Sequence, residues 1–364
     1  MTTLFALGFR PLYLLAGAYA ALSVPLWALQ YSGWLPAGNM LWHAHEMLFG
    51  YAFAVIAGFL LTAVRVWTGR PTPTGAALAL IALLWLSARV LALQSLFLSS
   101  LVDMVFALAV AWGIGAPILS SGNRNWFFIL LVLALGAASI AFQAYPQVAL
   151  AVGLDVVLLV IAIMGGRVIP PFTNAGAPGA GARRISWVEY GALGSVLLIL
   201  VLDGLSLPVW PVAFAAAAIH GARAALWSPL ATRGRPILWI LHLSYAWVVV
   251  HLLLRALAGL ELVNPALATH ALTVGVIGGL TLGMMTRTSR GHTGRPLMVG
   301  RWETAAYVLV HLAAALRVFA PLVLPQLYVA WVVASGLLWS AAFAIFTLVY
   351  IPILTRPRLD GQPG

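Results

Sequence analysis

The sequence predicts an all-α fold: a polytopic transmembrane helix bundle of about twelve spans, forming a single transmembrane domain over residues 1–364. Three observations predict it. First, 63% of the residues are hydrophobic and only 7% charged, against roughly 25% charged in soluble domains. Such a chain cannot cover a soluble surface, but it can cover one that faces hydrocarbon. Second, its apolar runs are continuous and of spanning length. A membrane β-barrel would instead alternate apolar and polar residues in segments of about ten. Third, the arginines collect in the short connections between those runs, and mostly in alternate connections.

The elements follow in order. Segment 11–30 sits behind Arg10 with no cationic leader before a short apolar core, so it reads as an uncleaved first helix rather than a signal peptide. Segment 41–64 is apolar except for "WHAHE" at its mouth, which places His43, His45 and Glu46 there. Segments 76–95 and 98–119 form a hairpin that brings Arg89 and Asp103 to matching depths, an expected buried ion pair. Segments 125–144 and 147–169 follow, the second carrying Asp155. The stretch from Pro170 to Ser186 is rich in Gly, Ala and Pro and reads as the longest loop. Segment 187–206 leads to 209–228, where His220 stacks above Arg223 and Trp227. Segment 236–257 holds His242, His251 and Arg255, and segment 266–286 begins near His270. The latter carries Gly275, Gly279 and Gly283 at i, i+4 spacing, a face for close helix packing. Segment 302–320 carries His311 and Arg317, and segment 326–354 closes the chain.

Arginine sets the expected orientation. Arg10, Arg65 and Arg70, Arg124, the group from Arg167 to Arg184, Arg233 and Arg235, the group from Arg287 to Arg301, and Arg356 and Arg358 fall in alternate connections. Both termini are then cytoplasmic. His43, His45, Glu46 and His270 lie at the outer ends of their spans. His242 lies in an inner half, Arg255 and Arg317 in outer halves, and His311 near the middle.

The net charge of +11 comes from arginine alone, since lysine is absent. High basicity often signals nucleic acid, but here topology accounts for it, and no nucleic-acid partner is expected. Cysteine is also absent, which excludes disulfides, iron–sulfur clusters and thiolate metal sites. A metal would have to be held by His, carboxylate or Met.

Polar groups in spans are costly and usually face a bundle interior. A single membrane histidine more often bonds across helices than binds a metal, and His251, on a face with Trp247 and Arg255, fits that plain role. "WHAHE" is more specific. On a continuous helix His43 and His45 point about 200° apart, at about 100° per residue. They need not serve one ion. His43 and Glu46 would share a face, so Glu46 is expected to orient His43 or to relay protons. Asp155, Arg255 and Arg317 have no sequence-local partner. Arginine suits paired carboxylates such as haem propionates, and equally an interhelical salt bridge. His292, in "SRGHTGRP", reads as solvated.

Several stretches together resemble the NnrS family of the bacterial nitric oxide response. They are "LWHAHEMLFGYAFAVIAGFLLTA" (41–63), "GGRVIPPFT" (165–173), "LHLSYAW" (241–247), "HALTVGVIGGLTLGMMTRTSRGHTGRP" (270–296) and "HLAAALRV" (311–318). The resemblance covers essentially the whole chain. It implies a multi-pass protein of the bacterial cytoplasmic (inner) membrane that contains haem b and copper and serves nitric oxide metabolism. It marks His43, His45, Glu46, His242, His270, His292, His311 and Arg317.

On this basis the metal ligands expected are His43, His45, His242, His270 and His311, with His220 or His251 as alternatives to His242. Arg89, Arg255 and Arg317 are expected to hold cofactor, and Glu46 and Asp155 to move protons. The function expected is reduction or detoxification of nitric oxide at an outer metal centre, fed by a periplasmic or membrane electron donor. A non-catalytic sensor or sink would use the same ligands. A proton-coupled secondary transporter is the remaining reading.

Overall fold

The structure, a computed structural model, describes residues 3–36 and 39–362, and among them it contains helices and no strand. Twelve helices run in sequence: α1 (Phe9–Tyr31), α2 (Met40–Thr68), α3 (Gly75–Leu91), α4 (Leu96–Ser120), α5 (Arg124–Ala141), α6 (Pro146–Gly176), α7 (Ser186–Gly204), α8 (Trp210–Leu226), α9 (Pro236–Gly259), α10 (Pro265–His292), α11 (Arg301–Val323) and α12 (Pro325–Thr355). Ten are long and apolar enough to cross a membrane. The exceptions are α3 and α8, with 17 residues each, about 26 Å at 1.5 Å per residue. They are shorter than their apolar segments because tight turns take the ends. Residues 92–95 turn into α4, and Ser228 adopts a left-handed conformation (φ 57°).

Hydrocarbon dictates this form: with no water to bond the backbone, each segment must satisfy its own N–H and C=O groups. The outward faces are correspondingly apolar, with Leu22, Leu101, Leu197 and Leu348 uncovered. Helices adjacent in sequence pack together, and the ring closes where α12 packs on α1. There the indole of Trp339 donates to Ala20 O (3.1 Å) and Ser340 Oγ to Ala21 O (2.5 Å). Arg10 Nη1 donates to the carbonyls of Leu354 (2.8 Å) and Arg356 (2.9 Å), satisfying the C-terminal end of α12. The start of α1 and the end of α12 therefore lie at one end of the bundle, the terminal end. The opposite end is the distal one.

Two interior helices, α2 and α10, begin alike at the distal end. An Asn side chain caps each: Asn39 accepts from Leu41 N (2.8 Å) and Asn264 from Ala266 N (2.9 Å). Six α-helical residues follow, Met40–His45 and Pro265–His270. Then each widens into a π-helix, Glu46–Ala52 and Ala271–Gly278. Such π segments recur at functional sites. The glycine face of α10 packs on α9 as its spacing predicts, with Gly275 against Trp247, Gly279 against Ser244 and Gly283 against Ile240 and Leu241.

One expectation is corrected. The 170–186 stretch is not a loop throughout, since α6 continues through Pro170 and Pro171 to Gly176. The prolines remove two helical donors, and Thr173 Oγ1 donates to Ile169 O (2.9 Å) in that turn. The true connection is short. Asn174 closes it by bonding Ala182 N (2.9 Å) and Ala182 O (2.8 Å).

Candidate functional site

At the distal end α1, α2, α6, α10, α11 and α12 enclose a cavity of about 360 Å³, within the usual range for small-ligand sites. Its wall is mostly apolar. Its polar lining includes His43, His270 and Arg317, and the side chains of Met40 and Met47 line it too. His43 stacks on Trp27 with ring centroids 4.0 Å apart and planes at 16°. Its Nδ1 is buried and has no hydrogen-bond partner. His270 Nδ1 donates to Ala266 O at 2.6 Å. That bond fixes the tautomer and leaves Nε2 as the available lone pair, the arrangement common in metal-binding histidines.

Arg317 completes the site. Its Nη2 donates to Tyr328 OH (3.0 Å), with the guanidinium 5.1 Å from that ring's centroid, while Nη1 is buried and has no partner. Among the described residues no carboxylate forms an ion pair with Arg317. Burying a cation without a counterion costs several kcal/mol. The site thus combines two imidazoles, two thioethers and an uncompensated positive charge in an apolar shell.

His45 belongs elsewhere. It is fully buried in a network across α1, α2, α3, α4 and α5. Its Nδ1–H donates to Glu46 Oε1 (2.9 Å), and Nε2 meets the hydroxyls of Ser100 (3.0 Å) and Ser139 (3.1 Å). Arg89 Nη1 donates to the same Glu46 oxygen (2.7 Å) and Nη2 pairs with Asp103. Tyr19 OH donates to the other oxygen of Glu46. Ser139 Oγ donates to Asp103 Oδ2 (3.3 Å), and the exposed Gln143 donates to Ser100 Oγ (2.9 Å). The expected Arg89–Asp103 pair is present, with Glu46 as a third member. The expected sharing of a face by Glu46 and His43 is corrected: Glu46, the first residue of the π segment, turns to His45 and Arg89.

The other candidates lie apart from the cavity. Arg255 bridges Asp155 (2.7 Å) and Asp203, joining α9 to α6 and α7. His242 Nε2 donates to Thr173 Oγ1 (2.7 Å). His311 Nε2 reaches Ser244 Oγ only at 3.5 Å, and its Nδ1 is buried without a partner. His251 donates to Ala268 O (2.8 Å). His220 bonds Tyr245 OH (2.7 Å), which also accepts from Arg223, itself paired bidentately with Glu189 at 3.0 and 2.6 Å. His292 lies beside Phe9, ring centroids 5.7 Å apart. Among the described residues no three His, Asp or Glu side chains stand together as a metal-holding group.

The sequence reading missed Tyr19, Trp27, Met40, Met47, Ser100, Ser139 and Asp203. Only Asp203 carried a usable signal, an acidic residue near the distal end of its helix, level with Arg255. The model of the NnrS protein family matches residues 3–358, and no curated protein matches the chain.

Proposed function

Because this chain belongs to the NnrS family, whose membership suggests involvement in the nitric oxide response, we propose that it is a membrane oxidoreductase that reduces nitric oxide at the distal cavity. The observation that carries this reading is the convergence of His43, His270 and Arg317, from three helices, on one apolar cavity. Nitric oxide is small and apolar, and a bilayer-embedded apolar cavity admits it. The reaction balances as two nitric oxide, two electrons and two protons giving nitrous oxide and water.

Haem and copper are implied by the family resemblance, and the residues present fit such groups. His270 has one nitrogen fixed and one available, and His43 has a buried nitrogen without a partner. A haem would need few ligands from the protein, which His43 and His270 could supply. Thioethers beside imidazoles suit copper(I). His43 and His270 would hold the group, with Met40 and Met47 as soft donors and Arg317 at an anionic substituent. Such a group, when bound, supplies electron transfer.

The chain's own residues do the rest. The apolar wall excludes water. Trp27 holds the plane of the His43 ring, and Ala266 holds His270. Gln143, Ser100, His45, Glu46 and Tyr19 form a continuous hydrogen-bonded chain inward from the exposed distal rim. Its course supports Glu46 as the carrier of protons towards the cavity, which begins at the adjacent Met47. Asp155 is tied to Arg255 and takes a structural part. His45, with both nitrogens engaged, and His242 and His311, which lie elsewhere, are left out of this ligand set. The arginine pattern supports cytoplasmic termini, which puts the cavity at the periplasmic side of the inner membrane.

The test is an optical spectrum and elemental analysis of the purified protein, then anaerobic nitric oxide consumption with a reductant. His43→Ala and His270→Ala should lose the bound group and the activity, while His242→Ala keeps both. Consumption that stops at one equivalent per protein would replace the enzyme with a sink.

A further inference from the structure

A second hollow lies towards the terminal end and shares no lining residue with the distal cavity. It follows from how three helices pack. α5 and α7 both pack on α6, and between them stays a groove of about 770 Å³ with α6 as its floor. Leu130 of α5, Leu159 and Ile163 of α6, and Leu193 and Leu197 of α7 line it. Leu130 and Leu197 are exposed, so the groove opens outward, where the bundle meets lipid. Gly194 lines it too, and a Cβ there would meet no atom within 4 Å. From Ser186 to Leu197 the lining follows α7, about 16 Å at 1.5 Å per residue. That is the depth of one leaflet in a hydrocarbon core about 30 Å thick.

The terminal end of the groove is cationic. Arg167 of α6 and Arg184 of the α6–α7 connection line it. That connection is anchored, because Asn174 bonds Ala182 and Arg183 N donates to Leu226 O (3.0 Å). Neither arginine has a carboxylate to itself. Among the described residues Arg167 forms no ion pair. Its Nη1 donates to the neutral Asn125 Oδ1 (2.6 Å), and its guanidinium lies 5.6 Å from the Phe127 ring centroid. Arg184 Nε comes within 3.5 Å of Glu189 Oε2, but Arg223 already holds both oxygens of Glu189, at 3.0 and 2.6 Å. With Glu189 and Arg223 cancelling, two positive charges remain, near enough to repel each other. Trp126 at the start of α5 and Trp187 and Tyr190 in the first turn of α7 are exposed at the same end. Such rings mark the membrane–water interface.

We infer that this groove binds an acidic glycerophospholipid from the leaflet at the terminal end, with its phosphate between Arg167 and Arg184 and an acyl chain along the leucines of α5, α6 and α7. The chemistry matches at both ends. Guanidinium groups offer paired donors to phosphate oxygens, and an anion between the two arginines relieves their repulsion. Basic pockets between membrane helices favour acidic headgroups for this reason. A free anion would use the arginines and leave the apolar groove unfilled. A zwitterionic lipid would bring its own cation against them. The inference is independent of the distal cavity and of nitric oxide.

The experiment is native mass spectrometry of the delipidated full-length protein in detergent. It is titrated with phosphatidylglycerol, with phosphatidylethanolamine of the same acyl chains, and with phosphatidylglycerol in the presence of inorganic phosphate. The wild type should bind phosphatidylglycerol at least about tenfold more tightly than phosphatidylethanolamine, and inorganic phosphate should not displace it. The double variant Arg167→Gln, Arg184→Gln should lose that preference. Gly194→Phe, which fills the groove without meeting a neighbour at Cβ, should weaken both lipids. The exposed Arg70→Gln, at the same end but outside the groove, should match the wild type. Should the double variant fail to fold, Arg184→Gln alone carries the test, since Arg184 is exposed and should still lose part of the preference. A wild type with no preference, or arginine variants that keep it, overturns the inference. So does a loss in Arg70→Gln as large as in the double variant, which would mean unspecific attraction. Displacement by inorganic phosphate together with unchanged binding in Gly194→Phe would leave an ion site without an acyl chain and overturn the lipid reading.

Discussion

Replacing Glu46 is the sharpest test of the buried network. Its carboxylate accepts from three donors: Arg89 Nη1 at 2.7 Å, His45 Nδ1 at 2.9 Å, and Tyr19 OH. All of this lies where neither water nor lipid can substitute, with Glu46 and His45 fully buried and Arg89 nearly so. Removing one partner of a buried pair costs about 3–5 kcal/mol. Arg89 keeps Asp103, so Glu46→Ala should fall at the lower end, about 3 kcal/mol, or roughly a hundredfold in the folding equilibrium. Glu46→Gln preserves an acceptor but loses the charge, and should cost about 2 kcal/mol, near the worth of a charge-assisted bond. The assay is reversible unfolding in mixed detergent–SDS micelles, followed by tryptophan fluorescence, with exposed Arg70→Ala as control. If Glu46→Ala unfolds within about 1 kcal/mol of the wild type, the network does not hold α2, and the reasoning fails.

Asp155→Asn and Asp203→Asn each leave Arg255 one carboxylate, whereas the double variant leaves none. The double variant should therefore cost more than the sum of the singles, by about 0.5–3 kcal/mol in the same unfolding assay. Gly166→Ala would drive a methyl group into the Arg223 guanidinium and the Glu189 carboxylate. The expected loss is about 1–3 kcal/mol, as for other overpacked sites, measured as a lowered unfolding midpoint. At the terminal end the exposed Asp360 is held at about 2, below its ordinary 3.8, chiefly by hydrogen bonds from Arg358, which also donates to His292 O (3.0 Å). A depressed carboxylate stabilises above its ordinary value and loses that effect as pH falls through its folded one. The tail should stay docked at pH 5 and loosen towards pH 2, read as a lower protection factor (observed exchange against the intrinsic rate at each pH) for the Leu359 amide, which donates to Thr293 O (3.1 Å).

The sequence made some of this legible and hid the rest for physical reasons. All twelve helices were visible, because burial in lipid demands long apolar runs. Their ends were less so, since α3 and α8 stop where turn geometry intervenes and α6 runs on through two prolines. The Arg89–Asp103 pair was legible because a hairpin matches depth on adjacent strands of the chain. Arg255, Asp155 and Asp203 come from three helices far apart in sequence, and depth alone cannot say which faces meet. The same limit applied to the histidines. His43 and His270 were placed at one end correctly, but their convergence on Arg317 depends on how each helix is rotated. Met40 and Met47 carried no signal, since a methionine in an apolar run is unremarkable in composition. The turn of Glu46 away from His43 depends on a π segment that the residue pattern did not announce.

The two histidines of "WHAHE" answer to different demands. At about 100° per residue they leave α2 on nearly opposite sides, and the structure uses both sides. His43 faces the cavity against Trp27, while His45 is pinned to Glu46, Ser100 and Ser139. Such a helix cannot rotate about its axis without breaking the ion network, because a turn of one residue would carry His45 and Glu46 out of reach of Arg89 and the serines. The network therefore fixes where His43 points. In α10 the corresponding stretch has one histidine, no carboxylate and no second polar face, so its rotation is set by apolar packing: three glycines against α9. The two helices thus reach one end, a histidine aimed into a shared cavity, by two means: a buried charge network in α2 and close helix contact in α10.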